Sequence, residues 1–223
     1  MIRINKKDYT DARKRIRTFI KKEHRLPNYC TFKTNDGKKV DLKKEEYCGL
    51  FQGYMQFYLK NGREANYLTL NAKASSPLVL NYQDDKYSCC PASFLMCMMF
   101  LFEYKFESYV KKTLGTTTSG TSPDKLIAGA RKLGYKVTPI PREMRSVREA
   151  LNQHKPVMMH IQTKPAHCLS YLNDYGHWVM CYKVNDTEYY IADPTKGLKK
   201  CNFMQINRAT NGRNLKYYSV EMI

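Results

Sequence analysis

One segment reads Gln83-Asp84-Asp85-Lys86-Tyr87-Ser88-Cys89-Cys90-Pro91-Ala92-Ser93 and runs directly into the apolar residues 94–102. A polar stretch followed by an apolar run predicts a loop that leads into a buried helix. Pro91 suits the first turn of that helix, where its missing N–H is not needed. A thiol at the start of the helix faces unpaired backbone N–H groups, which favour the reactive thiolate. The segment predicts a nucleophile at Cys89, although two buried structural thiols would give the same pattern.

Gln83 precedes Cys89 by a spacing that lets its side-chain amide and the backbone N–H of Cys89 face one point. Two such donors bind the negative oxygen of a tetrahedral intermediate. We therefore predict that Gln83 contributes to an oxyanion hole beside Cys89.

A hairpin is predicted further along the chain, with strands over 176–184 and 188–193 and a turn at 185–187. His177 begins the first strand and Asp193 ends the second, so both fall at one end of the sheet. A catalytic base and the carboxylate that orients it need this closeness. We therefore predict a Cys89/His177/Asp193 triad. His160 lies in the apolar run 156–161 and is interpreted as a buried core histidine.

The N-terminal part of the chain repeats itself at an offset of 38, with residues 19–32 falling on 57–70. Each copy is predicted to be an amphipathic helix, followed by an extended segment that contains Tyr29 or Tyr67. We interpret these tyrosines as packing residues between the copies, with a groove for sugar or peptide as the alternative. Residues 1–75 are expected to form a small, mainly helical module. Residues 76–223 are expected to form an α+β domain, with the nucleophilic helix on an antiparallel sheet.

The net charge of +18 indicates a polyanionic partner, and 18 of the 38 basic side chains fall in residues 1–75. No zinc-finger spacing, RNA-binding signature or basic-zipper pattern occurs, so we expect no nucleic-acid partner.

No apolar run is long enough for a membrane span, and the first residues do not form a signal peptide. The eight cysteines show no metal-binding spacing. We expect mostly reduced thiols, with Cys168, Cys181 and Cys201 as buried ones.

Residues 89–93 resemble the Cys-Gly-Pro-Ala/Thr-Ser motif of cysteine peptidases related to the bacteriocin-processing and transglutaminase-like groups. Cys90 is the competitor of Cys89 for the role of nucleophile. It stands where glycine is usual, so the resemblance implies that Cys89 occupies the nucleophile position. The resemblance extends through residues 115–124, 176–177 and 191–194. We interpret the loop 115–122 as a connector capped by Ser122, with a wall of the cleft as the alternative. The resemblance implies a papain-like fold and a peptidase that needs a reduced thiol and no cofactor for its chemistry. It also allows Ca²⁺ dependence, for which Asp84 and Asp85 are candidate ligands, although adjacent carboxylates are usually solvated.

The N-terminal copies resemble pseudomurein-binding repeats, the second being degenerate where Glu64 and Ala65 replace Leu26 and Pro27. Such repeats joined to a Cys/His/Asp peptidase resemble the archaeal pseudomurein endoisopeptidases. This implies cleavage of the isopeptide bond between alanine and the lysine side chain in methanogen cell walls. It also implies a monomer of viral or prophage origin, made in the host cytoplasm, that acts on the wall after release.

Three other functions fit the same residues. A transglutaminase would use the same triad and pass the acyl group to an amine. Another papain-like peptidase would cut a different peptide. A basic protein that binds walls or nucleic acid would need no catalysis.

Overall fold

The computed structural model describes residues 2–211 and 215–223. The chain forms two compact units. The first contains Met1–Val79 and Met99–Tyr104, and the second contains Leu80–Met98 and Lys105–Ile223. Among the described residues, no helix is both long enough and apolar enough to cross a membrane.

The first unit consists of two long helices and four short strands. In chain order these are β1 (Arg3–Asn5), α1 (Lys6–Glu23), β2 (Tyr29–Lys33), β3 (Lys39–Lys43), α2 (Lys44–Asn61) and β4 (Tyr67–Thr69). Strand β1 pairs with β4 and β2 pairs with β3, both antiparallel. The core between them is largely aromatic, and it includes the fully buried rings of Tyr9, Phe51 and Tyr54.

Residues 38 positions apart in the first unit make equivalent contacts. Helices α1 and α2 each span 18 residues and end at a left-handed residue, His24 or Gly62. The Tyr9 hydroxyl donates to the carbonyl of Ala65, and the Tyr47 hydroxyl donates to that of Pro27, both at 2.6 Å. Each copy therefore donates one tyrosine hydroxyl to a backbone carbonyl of the other copy, at corresponding positions.

Tyr29 and Tyr67 also occupy corresponding positions, at the first residues of β2 and β4. Their exposed fractions are 62% and 45%, so the interpretation of both as packing residues is wrong. The reason is the alternation of a strand: Cys30 and Phe32 point into the core, and Tyr29 points away from it.

The second unit is a six-stranded antiparallel sheet with helices. Its elements are α3 (Cys89–Phe100), α4 (Glu107–Thr113), α5 (Pro123–Lys132), β5 (Tyr135–Ile140), α6 (Met144–Asn152), β6 (Val157–Gln162), β7 (Gly176–Val184), β8 (Glu188–Asp193), β9 (Gly197–Asn202), α7 (Phe203–Asn211) and β10 (Tyr217–Met222). The strand order is β5-β10-β6-β7-β8-β9. This confirms the expected α+β class and the helix that starts at Cys89.

Side-chain alternation along β7 gives the sheet two apolar faces. Val179 and Cys181 belong to the core that also contains Val147 of α6 and Ile206 of α7. Trp178 points to the other face. The Ser93 hydroxyl of α3 donates to the Trp178 carbonyl at 2.9 Å and ties the nucleophilic helix to the sheet.

A disulfide joins Cys168 to Cys201, with Cα atoms 5.4 Å apart. The expectation that both are free thiols is therefore wrong. Cys168 lies in a single 3₁₀ turn, His167–Leu169, and Cys201 lies on β9, 33 residues later. Only the tertiary fold brings them together. The other six cysteines, Cys181 among them, are free and buried.

Candidate active site

Cys89 is the first residue of α3, at the end of a tightly bonded turn. The Asp85 carboxylate accepts from the Tyr87 backbone N–H at 2.8 Å and from the Ser88 hydroxyl at 2.9 Å. Asp85 also forms an ion pair with Lys111 of α4. These bonds fix the backbone just before the helix and therefore the direction of the Cys89 side chain.

His177 and Asp193 meet because β7 and β8 are antiparallel and joined by the turn at 185–187. His177 Nε2 lies 3.1 Å from Asp193 Oδ1. Only 2% of His177 is exposed, and Asp193 is completely buried. The hairpin predicted from sequence is confirmed, and it brings the two side chains into direct contact.

Cys89 is the second group that acts on the His177 ring and favours its charged form. Because Nε2 faces Asp193, Nδ1 is the ring nitrogen available to the sulfur. Burial opposes the charged imidazole, but Asp193 and Cys89 outweigh it and raise the pKa of His177 to about 9. The arrangement favours a charged imidazole beside the Asp193 carboxylate.

Asp193 is held as an anion in the interior. Its Oδ1 accepts from the backbone N–H groups of Thr195 at 2.8 Å and Lys196 at 3.1 Å. Burial acts to raise the pKa of Asp193, but the bond to His177 and these two backbone donors outweigh it and hold the pKa below its usual value.

Gln83 bonds the two residues that directly follow Asp193, which are Pro194 and Thr195. Its Nε2 donates to the Asp85 carbonyl at 2.7 Å, and its Oε1 accepts from the Thr195 hydroxyl at 3.0 Å. Its backbone N–H donates to the Pro194 carbonyl at 2.9 Å. These bonds hold the Gln83 amide in one orientation, and its role in an oxyanion hole stays a prediction.

Cys89 and Cys90 have different surroundings, although they are adjacent. Cys89 is 9% exposed and acts on the pKa of His177, whereas Cys90 is completely buried. Burial raises the pKa of the Cys90 thiol well above its usual value. Of the two, only Cys89 has both a base and access to solvent.

A cleft of 540 Å³ opens beside Cys89. Residues 118–123 form one wall, so the segment interpreted as a plain connector also borders the cleft. Ser122 does cap α5, accepting from the Lys125 backbone N–H at 3.4 Å. The remaining lining residues are Lys86, Tyr87, His160, Tyr175, Gly176 and Trp178.

The family model described as Peptidase C39 family matches residues 78–209. That match covers more than half of the chain and includes every residue of the site. The chain belongs to the Peptidase C39 family. Members of this family are cysteine peptidases, so the coarse class expected from the sequence is confirmed.

Comparison with solved structures shows a shared fold. The peptidase domain of Streptococcus ComA, a bifunctional ABC transporter involved in a quorum-sensing pathway, is 16% identical with a TM-score of 0.50. The match covers 63% of this chain and 96% of that chain. At this identity the likeness shows a common fold and nothing more.

Two further structures match less well. A double glycine motif protease from an AMS/PCAT transporter, solved with its leader peptide, is 18% identical with a TM-score of 0.49, covering 65% of this chain and 91% of that one. A C39-like peptidase from Bacillus anthracis is 12% identical with a TM-score of 0.49, covering 65% and 94%. No curated protein matches the chain significantly.

In the structure of this C39 domain, His160 is not the buried core histidine expected from the sequence. It lies on β6 and lines the cleft, and its ring stacks on Trp178 with centroids 4.3 Å apart. Burial, together with the nearby His177, lowers the pKa of His160 to about 4. It is therefore an uncharged cleft residue at neutral pH.

The candidate calcium ligands are partly engaged elsewhere, since Asp85 is paired with Lys111. In residues 2–211 and 215–223, no group of three or more His, Cys, Asp or Glu side chains could hold a metal ion. Ca²⁺ dependence stays an untested expectation.

Tyr171 is the side chain at this site that sequence reasoning missed. Its hydroxyl lies 3.0 Å from His177 Nε2 and 2.9 Å from Asp193 Oδ1. It belongs to an irregular segment between β6 and β7, where no periodic pattern signals its position.

Proposed function

We propose that the chain is a cysteine endoisopeptidase that hydrolyses the Ala–(ε)Lys cross-links of archaeal pseudomurein. The observation that carries the proposal is the His177–Asp193 pair, which acts on Cys89 beside an open cleft. A thiol, an imidazole and a buried carboxylate in this order are the parts that acyl transfer needs.

In the first step the Cys89 thiolate attacks the alanine carbonyl carbon. The carbonyl oxygen becomes negative, and it is held by the Cys89 backbone N–H and the remaining N–H of Gln83. Such donors stabilise the transition state because they are oriented before the charge develops. Thr195 and Asp85 hold the Gln83 amide in that orientation.

In the second step the C–N bond breaks, and His177 gives its Nδ1 proton to the departing lysine amine. This leaves a thioester on Cys89 and a neutral imidazole. Water then loses a proton to His177 and attacks the thioester carbonyl, which releases a carboxylic acid and returns the thiol. Asp193 stabilises the charged imidazole both before it gives a proton to the lysine amine and after it takes one from water.

The first unit has the properties of a wall-binding module. Lys and Arg outnumber Asp and Glu there, and pseudomurein carries many carboxylates. Tyr29 and Tyr67 present exposed rings at corresponding positions, and the Arg3 guanidinium lies 3.6 Å from the Tyr67 ring centre. Aromatic faces beside cations suit a polymer that contains both sugar rings and acids. These features favour binding by both copies.

The proposal is tested by digesting purified pseudomurein and identifying the new chain ends by mass spectrometry. The expected products are lysine residues with a free ε-amino group and alanine residues with a free carboxylate, in equal amounts. Cys89→Ala is expected to produce neither.

Added soluble amine separates hydrolysis from acyl transfer. A transglutaminase would attach the amine to the released alanine, whereas the proposed hydrolase leaves mostly free carboxylate. Cuts at other peptide bonds, or no cuts beyond those seen with Cys89→Ala, would contradict the proposed substrate. Retention on duplex or single-stranded nucleic acid at physiological salt, without wall binding, would favour the basic-binder alternative.

A further inference from the structure

The Tyr171 hydroxyl forms a triangle of hydrogen bonds with His177 and Asp193, the two residues that would supply base catalysis. Its hydroxyl lies 3.0 Å from His177 Nε2, 2.9 Å from Asp193 Oδ1 and 3.0 Å from Asp193 Oδ2. The third side of the triangle is the 3.1 Å contact between His177 Nε2 and Asp193 Oδ1.

The two oxygens of Asp193 are not equally supplied with donors. Oδ1 accepts from His177 and from the backbone N–H groups of Thr195 and Lys196. For Oδ2, Tyr171 is the one partner recorded within the described part of the chain. Because Asp193 is completely buried, loss of this donor would leave a charged oxygen without a partner.

The triangle also determines which nitrogen of His177 carries a hydrogen. The Tyr171 hydroxyl gives its only hydrogen to Asp193, so its oxygen acts as an acceptor toward His177. The carboxylate is an acceptor as well, so Nε2 must hold the hydrogen. Nδ1 is then the nitrogen that exchanges a proton with Cys89. Burial and the charge of Asp193 raise the pKa of Tyr171, which keeps it a neutral donor.

We propose that Tyr171 is a positioning residue, whose hydroxyl fixes the His177 ring and keeps Asp193 ionised. The inference rests on the proposed function, because it presumes that His177 and Asp193 act with Cys89. Among the described residues, Tyr171 has no contact with the Cys89 thiol and does not itself line the cleft, although its ring packs against Tyr175, which does.

The segment that carries Tyr171 is anchored on both sides. The 3₁₀ turn His167–Leu169 is joined to β9 through the Cys168–Cys201 disulfide. Ser170 then adopts a left-handed backbone conformation with φ of 58°, which turns the chain toward the site. The Lys196 ammonium lies 5.0 Å from the Tyr171 ring centre on the other side.

Several titratable groups surround His177 and Asp193 and affect the pH dependence of this pair. Cys89 and His160 interact electrostatically with His177, and Tyr175 interacts electrostatically with Asp193. Lys196 lies against Tyr171. Tyr171 differs from these groups because it donates directly to the carboxylate, and a bond to the charged form favours that form.

The test compares Tyr171→Phe with the wild type and with Tyr182→Phe on a soluble Ala–(ε)Lys isopeptide. Tyr182 is a half-buried tyrosine on β7, outside the site. For Tyr171→Phe we expect kcat to fall about tenfold and KM to stay unchanged, the loss typical of one hydrogen bond to a buried charge. We also expect the acidic limb of the pH profile to move up by about one unit, because Asp193 is protonated more easily. Tyr182→Phe should match the wild type.

A second measurement does not depend on the substrate. The rate at which iodoacetamide alkylates Cys89 is followed against pH by mass spectrometry of the Cys89 peptide. The acidic limb of this rate should shift in the same direction in Tyr171→Phe. Melting temperatures identify any loss of folding, which would lower the rate without moving the limb.

An unshifted acidic limb in a folded Tyr171→Phe would overturn the inference, and so would a shift of equal size in Tyr182→Phe. Failure of the proposed function has a different result: the wild type would then leave the isopeptide uncut. The alkylation profiles would still decide whether Tyr171 acts on the His177–Asp193 pair.

Discussion

His177 Nε2 lies 3.1 Å from Asp193 Oδ1, and both side chains are almost wholly buried. The contact joins the second residue of β7 to the last residue of β8. In such an interior an ion pair is weakly screened, and its two charges depend on each other. The raised pKa of His177 follows from this neighbour, together with Cys89.

Replacing Asp193 with asparagine is expected to lower kcat by at least about tenfold. The amide oxygen can still accept from Nε2 but carries no charge, so the charged imidazole loses stabilisation and the pKa of His177 falls from about 9. Steady-state hydrolysis of a soluble isopeptide measures the rate. Asp186→Asn, in the exposed turn of the same hairpin, is the matched control. A loss of less than tenfold would contradict the role of Asp193.

Gln83→Ala is expected to lower kcat by about 100-fold to 1000-fold with little change in KM, as when one oxyanion donor is removed. Single-turnover measurements would place the loss in acylation. Gln153→Ala, at an exposed position after α6, should behave as the wild type. Equal rates for the two variants would remove Gln83 from the oxyanion hole.

The Cys168–Cys201 disulfide is expected to stabilise the second unit by about 3–4 kcal/mol, since it closes a loop of 33 residues. Urea unfolding of Cys168→Ala/Cys201→Ala should show this loss. Reductant should destabilise the wild type by the same amount and leave the double variant unchanged. Equal stabilities of oxidised and reduced wild type would contradict the expected contribution.

Tyr29→Ala/Tyr67→Ala is expected to weaken binding to purified pseudomurein about tenfold or more, because exposed aromatic rings supply much of the energy of such surfaces. Co-sedimentation measures the binding, and soluble isopeptide hydrolysis should be unaffected. Tyr109→Ala removes a similarly exposed ring from the second unit and should bind as the wild type. Raising the salt concentration should weaken wall binding by the wild type and by both variants, because salt screens the charges.

Local patterns in the sequence predicted the elements that carry the site. The change from polar to apolar residues at Cys89 located the start of α3, and alternation around the turn at 185–187 located β7 and β8. The alternation in β2 also contained a signal that was not used: Tyr29 falls opposite to the buried Cys30 and Phe32.

Other features depend on residues far apart in the chain. Cys168 meets Cys201 only after β6 to β9 have assembled, and Tyr171 reaches Asp193 through an irregular segment without periodicity. Thr121 borders the cleft because it accepts the Trp178 indole N–H at 3.1 Å, a contact across 57 residues. No local spacing indicates such contacts.

The central claim is most directly tested by the loss of turbidity of pseudomurein-walled cells treated with wild type, Cys89→Ala and Cys90→Ala. The account predicts lysis by wild type and by Cys90→Ala, provided that the latter folds, and none by Cys89→Ala. Lysis by Cys89→Ala would contradict it, and lysis by Cys89→Ala with none by a folded Cys90→Ala would assign the nucleophile to Cys90.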